Sequence, residues 1–417
     1  MQENWPLSLY IWLRNLIRMI YDIIIVGGGI VGLATGLKIQ KANPALKIAI
    51  LEKEDQVAKH QTANNSGVIH SGLYYKPGSL KATNCIGGYH ELIQFCEEEK
   101  IPFEITGKVV VATRKEQIPL LNGLIERGLQ NGLTGTRSIT LDELKGYEPY
   151  CAGVAAIHVP QTGIVDYFQV ALAYGRKIIQ NGGEIFLNHK VLKINHENGI
   201  NRIETSRSDF QSKLVINCAG LYSDKVAQMG EEDPIDVKII PFRGEYFKLR
   251  KEKEYLVNNL IYPVPDPNFP FLGVHFTRMK KGGVEAGPNA VLAFRREGYK
   301  KSQINLRELA ETLAWPGFQK VAAKYWQTGF GEMYRSFSKA AFTKALQELI
   351  PEIQESDLVE GGAGVRAQAC DRTGGLLDDF SIRESEYAIN VLNAPSPAAT
   401  SSLAIGGTVA AMALKRF

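Results

Sequence analysis

The most informative stretch of the sequence is YDIIIVGGGIVGLATGLKIQ, residues 21–40. An apolar, β-branched strand leads into a glycine turn and then into a helix. Gly27, Gly29 and Gly32 have the G-x-G-x-x-G spacing. In this spacing the first glycine makes the tight turn, the second lets the backbone approach a pyrophosphate, and the third lets the helix pack on the strand. Because the helix N-terminus offers N–H groups and a positive end to an anion, the stretch predicts a dinucleotide-binding unit.

The next strand completes a βαβ unit and carries an acidic residue. KIAILEKE, residues 47–54, is typical of a second buried strand, and Glu52 lies twenty residues after Gly32. An acid at this distance binds a ribose hydroxyl, whereas NADP is usually held by an arginine near this point. The sequence therefore argues against NADP, and Lys53 is a further candidate for cofactor contact.

The fingerprint alone does not separate NAD from FAD. The following segment, KHQTANNSGVIHSGLYY at 59–75, is not the start of a simple βα crossover. The next Rossmann-like strand is delayed until KLVINCAGLYSD at 213–224. A long insertion at this point is typical of a flavoprotein in which a second, sheet-rich region closes over the flavin.

The composition argues against several other classes of protein. The net charge of +4 comes from interspersed signs in 417 residues, so we expect no extended nucleic-acid face. The five cysteines are scattered without a CxxC pair, which argues against a disulfide scaffold, an iron–sulfur cluster or a structural zinc. We therefore expect no metal site and a reducing, cytoplasmic location.

The N-terminal residues 1–20 form an apolar leader that two interpretations fit. The run WPLSLYIWLRNLIRMI is interrupted by Arg14 and Arg18, and it is shorter than the roughly 20 apolar residues that a membrane span needs. It also lacks the small-residue cleavage site of a signal peptide. One interpretation is an amphipathic anchor, peripheral on the inner face of the cell membrane. The other is upstream sequence that the cell does not translate, with Met19 as the start.

The rest of the chain predicts two interwoven regions. Residues 235–296 alternate strands with proline turns, which favours a mixed sheet with one face open to a substrate. In NHKVLKI, Val191 is a candidate for backbone contact with an adenine. The expected domains are a leader at 1–20, a discontinuous FAD-binding domain at 21–106, 160–235 and 358–417, and a substrate domain at 107–159 and 236–357.

Six stretches, taken in this order, resemble one family of flavoproteins: HQTANNSGVIHSGLYYKPGSLKA, PFRGEYFKL, LIYPVPDPNFPFLGVHFTRM, GPNAVLAFRREGY, GVRAQA and NAPSPAATSSLAIG. The resemblance is to the D-amino-acid-oxidase-like FAD oxidoreductases, and more closely to their L-2-hydroxyglutarate oxidase or dehydrogenase group. It covers nearly all of residues 21–417. It implies an α/β fold in which a Rossmann-like FAD-binding domain is interwoven with a mixed β-sheet substrate domain.

The resemblance also implies a reaction. The expected cofactor is noncovalent FAD, the substrate is L-2-hydroxyglutarate, a 2-hydroxy dicarboxylate, and the product is 2-oxoglutarate. Electrons would pass to oxygen or to a membrane quinone. Two rivals stay open: another oxidase or dehydrogenase of the superfamily, acting on glycerol 3-phosphate or an amino acid, and a noncatalytic flavin-binding membrane module.

Two histidines are candidates for the catalytic base. His70 is flanked by Ser66, Gly67 and Gly72, which would let its backbone run close to a flavin, and an imidazole titrates near neutrality. His275, in FLGVHFTR, lies on an expected strand of the substrate sheet. Either ring could remove the proton while the other binds a carboxylate.

The remaining candidates hold the substrate or the cofactor. Arg366 in GVRAQ resembles the arginine that pairs with a substrate carboxylate in this superfamily, and it is also a candidate for contact with the cofactor. Arg243 is a candidate either for substrate binding or for a structural role, and Tyr246 and Tyr74 could donate phenolic hydrogen bonds to the substrate. The N-terminus of the last helix is expected to stabilise the reduced flavin. The candidate cofactor residues, besides those above, are Gln61, Thr62, Ser66, Gly67, Ala219, Gly220, Ser396, Ala398, Ala399 and Thr400.

Overall fold

The computed structural model describes residues 19–231, 234–267 and 272–417, so the leader up to residue 18 lies outside the described residues. The strands found in these residues are β1 (Ile20–Val26), β2 (Ile48–Leu51), β3 (Val68–Ile69), β4 (Phe103–Glu104), β5 (Lys108–Ala112), β6 (Arg137–Ile139), β7 (Ala155–Val159), β8 (Gly163–Val165), β9 (Glu184–Phe186), β10 (Val191–Glu197), β11 (Ile200–Thr205), β12 (Asp209–Asn217), β13 (Val237–Leu249), β14 (Leu260–Pro263), β15 (His275–Arg278), β16 (Val284–Gly287), β17 (Val291–Leu292), β18 (Leu358–Asp371), β19 (Ser381–Glu384) and β20 (Ala388–Asn393). The α-helices are α1 (Ile30–Ala42), α2 (Leu80–Glu98), α3 (Ile118–Gln130), α4 (Leu141–Tyr147), α5 (Tyr167–Gln180), α6 (Ser223–Gly230), α7 (Leu306–Leu313), α8 (Pro316–Phe337), α9 (Lys339–Gln347) and α10 (Ser402–Leu414).

The first sheet has eight strands and contains the predicted βαβ unit. Its main order is β10-β11-β12-β1-β2-β9, and β20 and β19 extend it beyond β12. Strand β1 pairs in parallel with both β2 and β12, so the carboxyl ends of three parallel strands meet at the glycine turn. Both faces of this part of the sheet are covered, which is why β1 and β2 consist almost entirely of buried apolar residues.

The second sheet has nine strands and is mixed, as predicted. Its main order is β17-β13-β16-β15-β14-β5-β7-β6. Strand β18 joins it by pairing antiparallel with β13, from Val237 opposite Asp371 to Leu249 opposite Leu358. A third sheet of short strands, β3-β8-β4, adds a smaller layer.

One predicted boundary differs from the structure. The segment 358–371 was expected in the FAD-binding domain, but as β18 it is a strand of the second sheet. The long pairing with β13 satisfies its backbone hydrogen bonds there, and only the later strands β19 and β20 return to the first sheet. Sequence pattern alone does not reveal which sheet a buried strand joins.

The largest apolar core lies where α1, α5 and α10 cover the first sheet, and it includes Leu33, Tyr174 and Val409. Helices α1 and α10 cross closely there. A Cβ atom at Gly406 would lie 2.7 Å from the carbonyl carbon of Ala34, whereas a Cβ at the neighbouring Gly407 would meet nothing within 4 Å. Within the described residues, no helix combines the length and apolar composition needed to cross a membrane.

The helix crossing predicts opposite effects for two neighbouring substitutions. Gly406→Ala forces the two helices apart and should lower the free energy of unfolding by about 1–3 kcal/mol. Gly407→Ala enters open space and should raise it by about 0.5–1 kcal/mol, because alanine loses less backbone entropy than glycine in a helix. Thermal unfolding of both variants, followed by circular dichroism, tests this. Equal midpoints would contradict the close crossing.

Candidate active site

A cavity of about 1070 Å³ lies between the glycine turn and the second sheet. The first sheet, the loop after β2, strands β13 and β18 and the segment before α10 all contribute to its walls. It brings together most of the residues that the sequence singles out. The lining residues among them are Gly27, Gly29, Glu52, Lys53, Gln61, Thr62, Ser66, His70, Tyr74, Val191, Ala219, Gly220, Tyr246, His275, Arg366, Ser396, Ala398 and Ala399.

The glycine turn has the geometry of a phosphate cradle. Gly27 has a φ of +111°, and a Cβ atom there would lie 2.5 Å from the carbonyl oxygen of Cys218. Gly32 lies outside the cavity lining, and a Cβ atom there would collide with the carbonyl oxygen of Gly27. Gly32 therefore serves the close packing of α1 against the turn. A Cβ at Gly29, the N-cap of α1, would approach only the Thr62 hydroxyl, at 3.7 Å. The turn therefore leaves backbone exposed toward the cavity.

The acid at the end of β2 holds the turn as well as facing the cavity. The Glu52 carboxylate accepts hydrogen bonds from Gly28 N at 2.8 Å and from Glu54 N at 2.9 Å. The Thr62 hydroxyl accepts one from Ile30 N at 3.1 Å, in the first turn of α1. Both carboxylate oxygens of Glu52 keep further lone pairs, so the residue can still accept from a ribose hydroxyl.

Lys53 belongs to an ion-pair cluster beside this acid. Its ammonium contacts the carboxylates of Glu54 and Glu297, and His60 lies 3.2 Å from Glu54 and 3.3 Å from Glu297. The two carboxylates and the imidazole have metal-binding spacing, but the lysine already supplies the cation. The cluster ties the loop after β2 to the loop after β17.

The loop after β2 also contacts the second sheet. The Gln61 side chain accepts a hydrogen bond from Ala367 N at 3.1 Å, and its amide nitrogen would lie 3.0 Å from a Cβ at Gly220. Gly67, with a φ of +67°, lies outside the cavity lining, and a Cβ there would meet the carbonyl oxygen of Val165 at 2.8 Å. Gly67 therefore serves the close packing of β3 and β8.

The segment before α10 faces the cavity, with one exception. Ser396, Ala398 and Ala399 line it, whereas Thr400 is buried behind them. The Thr400 hydroxyl accepts a hydrogen bond from His70 N at 3.1 Å and lies 2.7 Å from the Tyr167 hydroxyl. Thr400, predicted to contact the cofactor, is instead placed to hold the backbone of His70.

His275 is held as a neutral imidazole with a defined tautomer. Its Nδ1 lies 2.8 Å from the carbonyl oxygen of Gly273, so Nδ1 carries the hydrogen and Nε2 keeps its lone pair. The ring stacks on Tyr262 with centroids 4.0 Å apart. Burial, aided by the nearby Arg366 and Lys108 cations, lowers the pKa of His275 to about 4.

His70 follows β3 and faces the same cavity. Its backbone is held on both sides, by Thr400 and by the Cys85 thiol, which lies 3.3 Å from the His70 carbonyl oxygen. Burial and the nearby Lys108 cation lower the pKa of His70 to about 3. Both candidate bases are therefore neutral at neutral pH and able to accept a proton.

The two predicted arginines lie on opposite faces of the second sheet. Phe242 is paired with Arg366 and Arg243 with Val365, and directly paired residues share a face while successive residues alternate. Arg366 lines the cavity. Arg243 does not: its guanidinium is buried and pairs with Glu245, with Nε 2.9 Å from the carboxylate. Of the two roles that the sequence leaves open for Arg243, its geometry favours the structural one, as a buried ion-pair residue.

Lys108, a buried lysine near the cavity, is a residue that the sequence analysis does not single out. Lys108 begins β5 and is 2% exposed, with its ammonium 4.2 Å from the ring centroid of Tyr74 and 5.1 Å from that of Tyr262. Burial lowers the pKa of Lys108 to about 7. In the sequence, KVVVAT is simply a strand, and the available signal was a lysine at the start of an otherwise apolar run.

The cavity fits a flavin dinucleotide by its donors and its size. One end of the cavity has the glycine turn and Glu52, an acid placed to bind a ribose hydroxyl. His70, His275 and Arg366 also line it. Its volume exceeds the roughly 300–1000 Å³ of ordinary ligand pockets, which leaves room for a dinucleotide and a small substrate. Fold and site together are typical of an oxidoreductase that binds FAD.

Comparison with known proteins identifies the class. The model of the family described as FAD dependent oxidoreductase matches residues 22–412. The L-2-hydroxyglutarate dehydrogenase of Indibacter alkaliphilus is 77% identical over 399 residues, covering 96% of this chain and 100% of that protein. The mitochondrial L-2-hydroxyglutarate dehydrogenase of Homo sapiens is 45% identical over 414 residues, covering 95% and 89%.

Solved structures have the same fold. The L-α-glycerophosphate oxidase of Mycoplasma pneumoniae with FAD bound superposes with a TM-score of 0.76 at 23% identity, covering 95% of each chain. The glycine oxidase of Geobacillus kaustophilus gives 0.69 at 16% identity, also covering 95% of each. These matches confirm the predicted α/β fold class. The chain belongs to the FAD dependent oxidoreductases, and within them to the L-2-hydroxyglutarate dehydrogenase group.

The buried neutral histidines predict a loss of stability in acid. The unfolded chain protonates histidine near pH 6.5, whereas folded His275 does so only near pH 4. Between these values the unfolded state binds more protons, so the free energy of unfolding should fall as the pH falls from about 6.5 to 4. His275→Gln should flatten this dependence, measured as thermal midpoint against pH, while His90→Gln on an exposed helix surface should not. An unchanged slope in His275→Gln would contradict the burial argument.

Proposed function

We propose that the protein oxidises L-2-hydroxyglutarate to 2-oxoglutarate with FAD as the electron acceptor. The observation that carries the proposal is that a neutral imidazole with a defined lone pair, His275, and a guanidinium, Arg366, line the same cavity as the glycine turn. The names of relatives at 77% and 45% identity support the choice of substrate.

The residues divide the chemistry between binding and proton removal. Arg366 binds the carboxylate beside the hydroxyl-bearing carbon, through parallel N–H donors of its planar guanidinium. His275 accepts the hydroxyl proton at Nε2, and the Gly273 carbonyl stabilises the imidazolium through Nδ1. Bound FAD supplies the acceptor for the α-hydrogen, which leaves as hydride.

The low pKa of His275 is compatible with this role once substrate is bound. Burial lowers the pKa most, and the nearby Arg366 and Lys108 cations lower it further. A dianionic substrate between them offsets their charge and so reverses that further part, which moves the pKa of His275 upward, in the direction in which a base works better. His70 is the second candidate for the base, as a neutral imidazole that lines the same cavity.

Titration with both enantiomers tests the reaction. The FAD-loaded protein is mixed anaerobically with L- or D-2-hydroxyglutarate, and the absorbance of the oxidised-flavin band at about 450 nm is followed. We expect bleaching by the L form alone. Bleaching by glycerol 3-phosphate or an amino acid instead would overturn the substrate assignment, and no bleaching by any of them would favour a noncatalytic flavoprotein.

Substitution of the histidines separates their roles. His275→Asn should lower kcat by roughly 10²- to 10⁴-fold, the usual contribution of a general base. Its affinity for 2-oxoglutarate should change much less, and the exposed His90→Gln should leave both quantities unchanged. If His70→Asn shows the large loss in kcat and His275→Asn does not, His70 is the base.

We further propose that a membrane quinone takes the electrons, with oxygen as the alternative, and that the protein docks at the membrane surface. Helix α8 supports this docking. Four exposed aromatic residues recur at helical spacing on one face: Trp326 at 56%, Phe330 at 70%, Tyr334 at 67% and Phe337 at 70% exposure. Exposed aromatic residues grouped in this way mark interaction surfaces, and aromatic rings favour the membrane interface.

The charge of α8 favours an anionic lipid surface. The helix carries the cations Lys320, Lys324 and Arg335 against one acid, Glu332, which is buried and paired with Arg335. An aromatic face beside basic residues is typical of helices that lie in the membrane interface. Residues 1–18 of the expected anchor lie outside the residues that the structure describes.

Vesicle sedimentation tests the docking face. The full chain should co-sediment with vesicles containing phosphatidylglycerol more than with phosphatidylcholine alone, and less at high salt. Replacing the four aromatic residues of α8 by serine should weaken this binding at least about tenfold, since each buried side chain contributes apolar area. Serine at Leu129 and Ile179, which are equally exposed but isolated, is the control. If the four-serine variant binds vesicles as well as the wild type does, the membrane contact lies elsewhere, for example in the leader. If the wild type itself does not co-sediment, the docking proposal fails.

A further inference from the structure

Lys108 is a buried lysine in the second sheet with no carboxylate partner among the described residues, and because burial lowers its pKa to about 7 it is only partly protonated at neutral pH until an anion stabilises its charge. Its ammonium lies between the rings of Tyr74 and Tyr262, at 4.2 Å and 5.1 Å from their centroids. The aromatic faces stabilise the charge only in part. A buried charge without an anionic partner is costly, so its presence beside a ligand cavity calls for an explanation.

The sheet register places Lys108 on the side of the candidate base. Tyr262 is paired with Val110, and Lys108 is two residues before Val110, so Lys108 and Tyr262 share one face. His275 stacks on Tyr262 on that same face. Lys108 and Arg366 are both close enough to His275 to lower its pKa. The ring of the candidate base is therefore influenced by two cations from different strands, β5 and β18.

A hydroxyl group completes the arrangement. Tyr74 lines the cavity, and its hydroxyl is buried without a hydrogen-bond partner in the part of the chain that the structure describes. Its ring is the one closest to the Lys108 ammonium. A buried donor without a partner is rare in folded proteins and points to a ligand atom that accepts from it. A carboxylate oxygen would satisfy the hydroxyl and offset the lysine charge together.

We propose that Tyr74 and Lys108 form a second carboxylate subsite, in which the Tyr74 hydroxyl donates to the far carboxylate of the substrate and Lys108 balances its charge from behind the ring. The proposal rests on the proposed function, in which Arg366 holds the carboxylate beside the reacting carbon. The subsite selects a dicarboxylate over a monocarboxylate of equal length. Lys108 is a positioning residue here, because it acts through Tyr74.

The competing explanation is purely structural. Lys108 could serve only as a cation packed between two aromatic rings, in which case its removal would change stability but not ligand preference. Lys238 offers a matched control, because it is also a strand lysine of the second sheet with its ammonium over an aromatic ring, 5.5 Å from the centroid of Trp315. Trp315 does not line the cavity, whereas Tyr74 and Tyr262, the rings beside Lys108, do.

The test compares two ligands that differ in one carboxylate. Glutarate and pentanoate both have five carbons, and their binding to the FAD-loaded full chain is measured by the change in flavin absorbance. Lys108→Met should weaken glutarate binding by roughly tenfold, because the far carboxylate loses a nearby countercharge, and pentanoate binding by less than about threefold. In turnover, KM for L-2-hydroxyglutarate should rise by a larger factor than kcat changes, because the far carboxylate loses its countercharge while the reacting end feels only the loss of one cation near His275.

Two further variants keep the result interpretable. Tyr74→Phe removes only the hydroxyl and should lower the preference for glutarate in the same direction, even if Lys108→Met fails to retain FAD. Lys238→Met should leave the preference unchanged. An unaltered ratio of glutarate to pentanoate affinity in both Lys108→Met and Tyr74→Phe would overturn the subsite. If the wild type prefers glutarate but is not reduced by L-2-hydroxyglutarate, the proposed function fails and the subsite stands.

Discussion

The antiparallel pairing of β13 with β18 is the contact on which the site depends. It runs from Val237 opposite Asp371 to Leu249 opposite Leu358, and it fixes β18 as a strand of the second sheet. The same strand touches the loop of the nucleotide-binding unit, because Ala367 N donates to Gln61 and a Cβ at Gly364 would lie 2.5 Å from the Asn64 carbonyl oxygen. One strand therefore carries Arg366 into the cavity and holds the cofactor loop at a fixed distance from it.

The electrostatics of the cavity follow from burial. Arg366 and Lys108 bring positive charge into a site where His70 and His275 are kept neutral, so the binding face has an excess of positive charge before any ligand arrives. Such a face binds an anion and excludes a cation, and water exclusion strengthens each interaction. A dicarboxylate matches the two cations, and in the proposed function its arrival offsets the part of the lowered pKa of the imidazoles that the cations cause, while the part that burial causes stays. The proposal therefore couples substrate binding to the basicity of the imidazoles through charge.

The parts of the site that were predictable from the sequence are those set by local structure. The glycine turn and Glu52 depend on residues within one βαβ unit, whose spacing dictates their geometry. Arg366 was proposed through resemblance to a family, whereas His70 was proposed from the small residues that flank it and His275 from its expected strand. The role of Arg243 stayed open, and the burial of Thr400 behind the cavity wall was not foreseen, because alternation along β13 and packing before α10 are tertiary properties. Lys108 was missed because a lysine beginning a strand is normally exposed, and only the fold shows it buried.

In the proposed function the substrate lies between Arg366 and Lys108 with its hydroxyl at His275. The decisive measurement is a crystal structure of the FAD-loaded protein with 2-oxoglutarate. We expect one carboxylate of the ligand on the Arg366 guanidinium and the other within hydrogen-bond distance of the Tyr74 hydroxyl, on the Lys108 side. A ligand bound away from Arg366, or one whose far carboxylate points to solvent, would contradict it.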